Sequence, residues 1–108
     1  MTTTYTQDQL NQLASQHGLQ SDPIFIGSFN NAFVCLYRGI DNPEYFQASL
    51  AWDCRRGEGP VTVRCGYYGQ RMIRGDSIEG QTFESLADAV AAIPAKFDAL
   101  AIEPVVTA

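Results

Sequence analysis

A chain of 108 residues is long enough to bury a core of its own as one domain, without metal or disulfide staples. Apolar residues make up 45% of it and aromatic residues 11%, which excludes a disordered tail or linker. A net charge of −5 counts against general affinity for nucleic acid, and no apolar run approaches the ~18–20 residues that a membrane span needs.

The charge is unevenly distributed. Residues 1–37 carry Asp8 and Asp22 and no base, and residues 76–108 carry six acids against Lys96 alone. The middle third holds all six arginines against Asp41, Glu44, Asp53 and Glu58, so only this part is basic. Arginine suits planar, partly desolvated contacts better than lysine does. The start "MTTTYTQDQL" has neither a basic nor an apolar signal region, and the cysteine count, three, is odd. Both features point to a reducing, cytoplasmic setting.

Thr6 and Gln9 make a T-x-x-Q capping box, with Tyr5 and Leu10 placed as a hydrophobic staple across it. Leu10, Leu13, Ala14 and His17 follow at helical spacing, and Gly18 suits the residue after the cap. The spacing predicts a helix over 7–17. In "PIFIGSFNNAFVCLYRG" two apolar runs flank Asn30 and Asn31, which predicts a hairpin with a two-residue turn. That register sets Phe25 opposite Leu36 and Gly27 opposite Val34, with Ile24, Ile26, Cys35 and Tyr37 on the other face. Two helices cannot cover both apolar faces, so Phe25, Val34 and Leu36 form a candidate dimer or partner face.

After the turn "DNPE", the segments "YFQASLAWDC" and "PVTVRCGYY" alternate with period two around a Gly-rich "RRGEG". Pairing apolar with apolar predicts Trp52 opposite Val63, Leu50 opposite Cys65 and Cys54 opposite Val61, with residues 71–74 extending or bulging the last strand. From Phe83 the period becomes helical through Leu86, Val90, Ile93, Phe97 and Leu100. Thr82 or Ser85 would cap this helix, and Pro94 would kink it or split it in two. The expected architecture is α+β: a two-layer sandwich of order α-β-β-β-β-α. A four-stranded, mainly antiparallel sheet of two hairpins carries the N- and C-terminal helices on one face. Residues 1–108 form one domain, with 103–108 as a frayed tail.

The chemistry-bearing residues do not assemble into a motif. Cys35, Cys54 and Cys65 lack C-x-x-C spacing, and a zinc site needs four converging ligands, so no metal and no cofactor are implied. The predicted register also holds Cys54 and Cys65 too far apart for a disulfide. His17, the sole histidine, sits in a last helical turn, away from any nucleophile the spacing supplies. "RGDS" at 74–77 reads as a turn leaving the sheet. The expectation is a protein without catalysis of its own.

What remains is a surface. The polar face of the second hairpin presents Tyr45, Gln47, Ser49 and Ala51 beside Thr62, Arg64, Gly66 and Tyr68. In the predicted register Tyr68 faces Gln47, and Arg64 faces Ala51 within reach of Asp53. Arg55, Arg56 and Arg71 stand at the rim. Small residues between tyrosine and arginine are the composition of a binding face. The leading expectation is a small acidic protein-binding module: an inhibitor, immunity protein or adaptor, for example a phage-type inhibitor of bacterial defence. Its partner would be another protein or a second copy meeting the open sheet face. The alternative is a sheet-face binder of a small anionic ligand or single-stranded nucleic acid through Tyr45, Arg64 and Tyr68.

Overall fold

The capping box forms as its spacing predicts. Helix α1 (Gln7–Gln16) begins with the Thr6 hydroxyl accepting the Gln9 N–H at 3.2 Å, while the Gln9 carboxamide oxygen accepts the Thr6 N–H at 2.7 Å. At the other end Gly18 takes φ 68°, and the N–H groups of Gly18 and Leu19 close back onto the carbonyls of Ser15 and Ala14. This paired closure leaves both Ala14 and Leu19 buried, so the turn that ends the helix also aims the chain at the sheet. The computed structural model describes residues 4–41, 43–68, 73–75 and 80–102, with 68, 73–75, 101 and 102 as backbone.

Among the described residues, seven strands form one antiparallel sheet. They are β1 (Gln20–Ser21), β2 (Phe25–Ile26), β3 (Asn31–Arg38), β4 (Tyr45–Asp53), β5 (Val61–Tyr68), β6 (Ile73–Gly75) and β7 (Gln81–Phe83), followed by helix α2 (Leu86–Ile102). Strands β3, β4 and β5 are the long ones, with β4 in the middle; β1 and β2 share the far side of β3, and β6 and β7 share the far side of β5. The α+β class, the antiparallel sheet and the terminal helices agree with the sequence. The strand count does not, because short edge segments too brief to show a period also join the sheet.

Both predicted hairpin registers need correction. In the first, Ser28–Asn30 coils into a 3-10 turn with Phe29 and Asn30 at φ 60° and 59°, in place of a two-residue turn at Asn30 and Asn31. The longer turn slides the ladder so that Phe25 faces Phe33 and Ile26 faces Ala32. Phe25 therefore lies on the opposite side of the sheet from Val34 and Leu36, which are 4% and 0% exposed and belong to the core. The candidate face of Phe25, Val34 and Leu36 does not exist as one surface. In the second hairpin Cys54–Arg56 forms another 3-10 turn, capped by the Asp53 side chain on the Arg55 N–H, and Cys54 leaves the ladder. Trp52 then faces Val61, Leu50 faces Val63 and Ala48 faces Cys65. This is a two-residue shift, and an even shift keeps every side chain on its expected face.

The inward face carries small and branched chains: Ala32, Val34, Leu36, Ala48, Leu50, Val61 and Val63 are all buried. Helix α2 covers them with Leu86, Val90, Ile93 and Phe97, and runs as one element through Pro94 instead of splitting there. Its cap is Ser85, whose hydroxyl accepts the Asp88 N–H at 3.2 Å, while Phe83 belongs to β7. Two contacts pin the ends of this layer. Trp52, 4% exposed, meets the Tyr5 ring edge-on at 5.5 Å and donates its indole N–H to the Thr4 hydroxyl at 3.0 Å. At the opposite end the Arg38 guanidinium lies 4.9 Å from the Phe46 ring centroid and 5.3 Å from that of Phe97, and pairs with Asp98 at 2.9 Å. Arg38 thus joins β3 to α2.

Truncating a buried aromatic of this size removes its transfer energy and leaves a cavity. Trp52→Ala should cost about 3–5 kcal/mol in urea unfolding; a loss below ~1 kcal/mol would mean that the inward face is misassigned.

Candidate functional site: the open face of the sheet

The face opposite the helices is organised in rows across the strands. One row runs Phe25, Phe33, Ala51, Thr62 and Thr82; the next holds Cys35, Ser49 and Arg64; the third holds Tyr37, Gln47 and Gly66. Small side chains at Ser49, Ala51 and Gly66 keep its middle low, and a groove of about 500 Å³ results, lined by Phe33, Cys35, Ser49, Ala51, Thr62 and Arg64 among others. Gly80 packs close under this rim: a Cβ there would meet the Val63 carbonyl at 2.6 Å and the Arg64 side chain at 2.9 Å.

Polar groups at the edges of the groove are mostly engaged with one another. Arg55 holds Asp53 through two guanidinium contacts of 3.1 Å, and its side-chain and backbone hydrogen bonds keep the Asp53 carboxyl below the usual range. The Gln47 amide donates to the Cys35 sulfur at 3.6 Å, and the Ser49 hydroxyl lies 3.7 Å from the same sulfur. The Tyr37 hydroxyl donates to Asp22 at 2.7 Å, and its ring meets Tyr45 edge-on at 6.2 Å. Arg64 differs. It is exposed, lies opposite Ser49 instead of Ala51, which carries it away from Asp53, and forms no ion pair among the described residues.

The predicted site residues therefore separate. Arg64 lines the groove. Tyr45 and Gln47 stand further along the strands, half-buried, and the Tyr68 backbone pairs with Tyr45 instead of Gln47. Arg55 and Arg56 are exposed on the 3-10 turn at the end of β4. Arg71 lies outside the described residues, as does the tail 103–108.

The sequence reading expected spare apolar surface on the first hairpin and named Phe25, but joined it to Val34 and Leu36 and missed Ile26, Phe29 and Phe33 as exposed residues. Phe25 is 66% exposed, Ile26 52%, Phe29 78% and Phe33 45%, and all four belong to the β2–β3 hairpin. Phe29 also holds a left-handed backbone, a conformation that costs a bulky residue roughly 1–2 kcal/mol. The available signal was the alternation of Phe33 with Ala32 and Val34, which puts the large ring outside whenever the aliphatic pair is inside.

A second cleft, of about 270 Å³, is lined by Tyr5, Leu13, Glu58 and Ser85 among others; the Ser85 hydroxyl caps α2, and the Tyr5 hydroxyl donates to the Gly59 carbonyl at 2.8 Å. Among the described residues no group of three or more His, Cys, Asp and Glu could hold a metal, and no disulfide joins Cys35, Cys54 and Cys65. None of the described helices is long and apolar enough to cross a membrane. Comparison with protein families, with curated proteins and with solved structures finds no match.

The Tyr37 pair has a consequence for pH. Its hydrogen bond to Asp22, followed by burial, raises the phenol above its ordinary value of 10.0. The folded state then keeps this proton longer than the unfolded chain does. The stabilisation is complete below pH ~10 and is lost as pH rises toward the folded value. Tyr37→Phe should make unfolding free energy fall less steeply between pH 9.5 and 11.5 in urea titrations. Equal slopes for the two proteins would contradict the pair.

Proposed function

We propose that this protein is a protein-binding module that works by occupying a partner's surface through the open face of its sheet, without chemistry of its own. The observation that carries this reading is the exposure of Phe25, Phe29 and Phe33 on one hairpin, 45–78% each, with Phe25 and Phe33 paired on the open face. Solvent-exposed rings grouped beside a groove are costly to keep in water and are the usual anchors of interfaces. Phe29 sharpens the point, because a glycine would relieve its backbone while removing the ring. Inhibitor, immunity protein and adaptor are all roles such a module can serve.

The reading based on anionic ligands or single-stranded nucleic acid has less support. Tyr45 is half-buried and its ring packs on Tyr37, which leaves less ring face for stacking a base. The net charge of −5 also opposes a polyanion.

Phe29→Gly should raise unfolding free energy by about 0.5–1 kcal/mol, since the gain in backbone relief exceeds the added freedom of the unfolded chain. The triple variant F25S/F29S/F33S should keep the wild-type fold by circular dichroism. Immobilised wild-type protein should retain a protein from a lysate of its source cells that the triple variant does not. Equal retention by both, or salt-sensitive retention of an oligonucleotide instead, would refute the reading.

A further inference from the structure

This inference rests on the protein-binding reading and concerns the chemistry of the partner. Three features of the sheet decide where a partner can lie and what it must bring.

The described edge strands are too short and interrupted to template another strand. Along β3, the pairing passes from Ser21 opposite Leu36 to Phe25 opposite Phe33, so the edge segment advances four residues while β3 advances three. That is a bulge, and it contains Pro23, which has no N–H to offer. On the other edge, Gly75 faces Gly66 and Gln81 faces Val63, so the segment advances six residues against three on β5. No described edge run exceeds three residues. An incoming chain must therefore lie on the face.

Arg64 is the charged side chain among the described residues lining the groove, in a protein of net charge −5. Among the described residues, Asp53 pairs with Arg55 and Asp22 accepts a hydrogen bond from Tyr37. Arg64 stands as an exposed guanidinium on the β5 side of the groove, with Phe33 on the β3 side across the floor of Ser49 and Ala51, and Phe25 beside Phe33. A second copy of this chain meets an electrostatic obstacle there. A two-fold axis through the groove would bring two Arg64 side chains together, since a two-fold interface pairs a surface with itself.

We infer that the groove receives an extended segment of a partner protein that presents a carboxylate to Arg64 and an apolar side chain to the shelf of Phe25 and Phe33. Guanidinium and carboxylate meet through two parallel hydrogen bonds, which fixes the segment across the strands, and the rings supply the buried area. Phe29, at the tip of the hairpin, extends the shelf toward the body of the partner.

A library of random 12-residue peptides displayed on phage, selected on the wild-type protein, tests this. The inference expects enriched sequences that combine Asp or Glu with Phe, Leu, Ile or Trp. A synthetic peptide of the enriched sequence should then bind Arg64→Glu at least tenfold more weakly, Arg64→Lys by an intermediate amount, and Phe33→Ser at least tenfold more weakly, with melting temperatures unchanged. Enriched sequences without acids, or an unaltered affinity for Arg64→Glu, would overturn the assigned chemistry while leaving protein binding intact. Failure to enrich any sequence, together with a concentration-dependent dimer in light scattering, would overturn it in favour of a second copy. Displacement of the enriched peptide by a single-stranded oligonucleotide would overturn both this inference and the protein-binding reading.

Discussion

The pairing of β4 between β3 and β5 is the constraint on which the rest of the structure depends. Eight residue pairs join β4 to each neighbour, and the two-residue period of the strands sorts all three chains at once. Ala48, Leu50 and Trp52 go inward with Val34, Leu36, Val61 and Val63, and the two helices have a continuous apolar floor to cover. Gln47, Ser49 and Ala51 go outward with Cys35, Phe33 and Arg64. A slip of one residue would exchange the two sets, so the buried face fixes the exposed face as firmly as it fixes itself.

The exposed face is then free to depart from what stability alone favours. Its middle is paved with small side chains, its polar groups are largely satisfied among themselves, and its edges are interrupted by a bulge and by the insertion between β6 and β7. Interrupted edges suppress indiscriminate strand pairing. Against that careful arrangement the β2–β3 hairpin stands out, with three exposed phenylalanines, one of them in a left-handed backbone. A fold that protects its edges yet leaves these rings in water is consistent with a surface kept for another molecule. Arg38 shows the contrast: its charge is spent on Asp98 and its plane on Phe46 and Phe97, holding the two layers together, whereas Arg64 forms no ion pair among the described residues.

Much of this was legible in the sequence, and the errors have a common cause. The capping box at Thr6, the stripe on α2 and the alternation of β4 and β5 are repeated local signals, and each produced the element and the face expected of it. Register was not legible, because it depends on turn length. At both hairpins a 3-10 turn replaced the tighter connection: Ser28–Asn30 in one and Cys54–Arg56 in the other. In the second hairpin the shift was even and cost only the identity of the partners, so Arg64 lost Asp53 but kept its face. In the first the change also reassigned Phe25, and with it the apolar surface. Of the four short strands β2 was expected as the first arm of its hairpin, whereas β1, β6 and β7 were not read as strands of their own, since two or three residues carry no period.

The central claim is that the six phenylalanines divide into three that build the fold and three that face outward. Fluorine NMR of protein labelled with 4-fluorophenylalanine, recorded at low concentration with and without a soluble paramagnetic relaxation agent, tests this directly. The account predicts strong relaxation of the signals from Phe25, Phe29 and Phe33 and weak relaxation of those from Phe46, Phe83 and Phe97. Protection of all six would contradict it, because the hairpin rings would then already be covered within the isolated molecule.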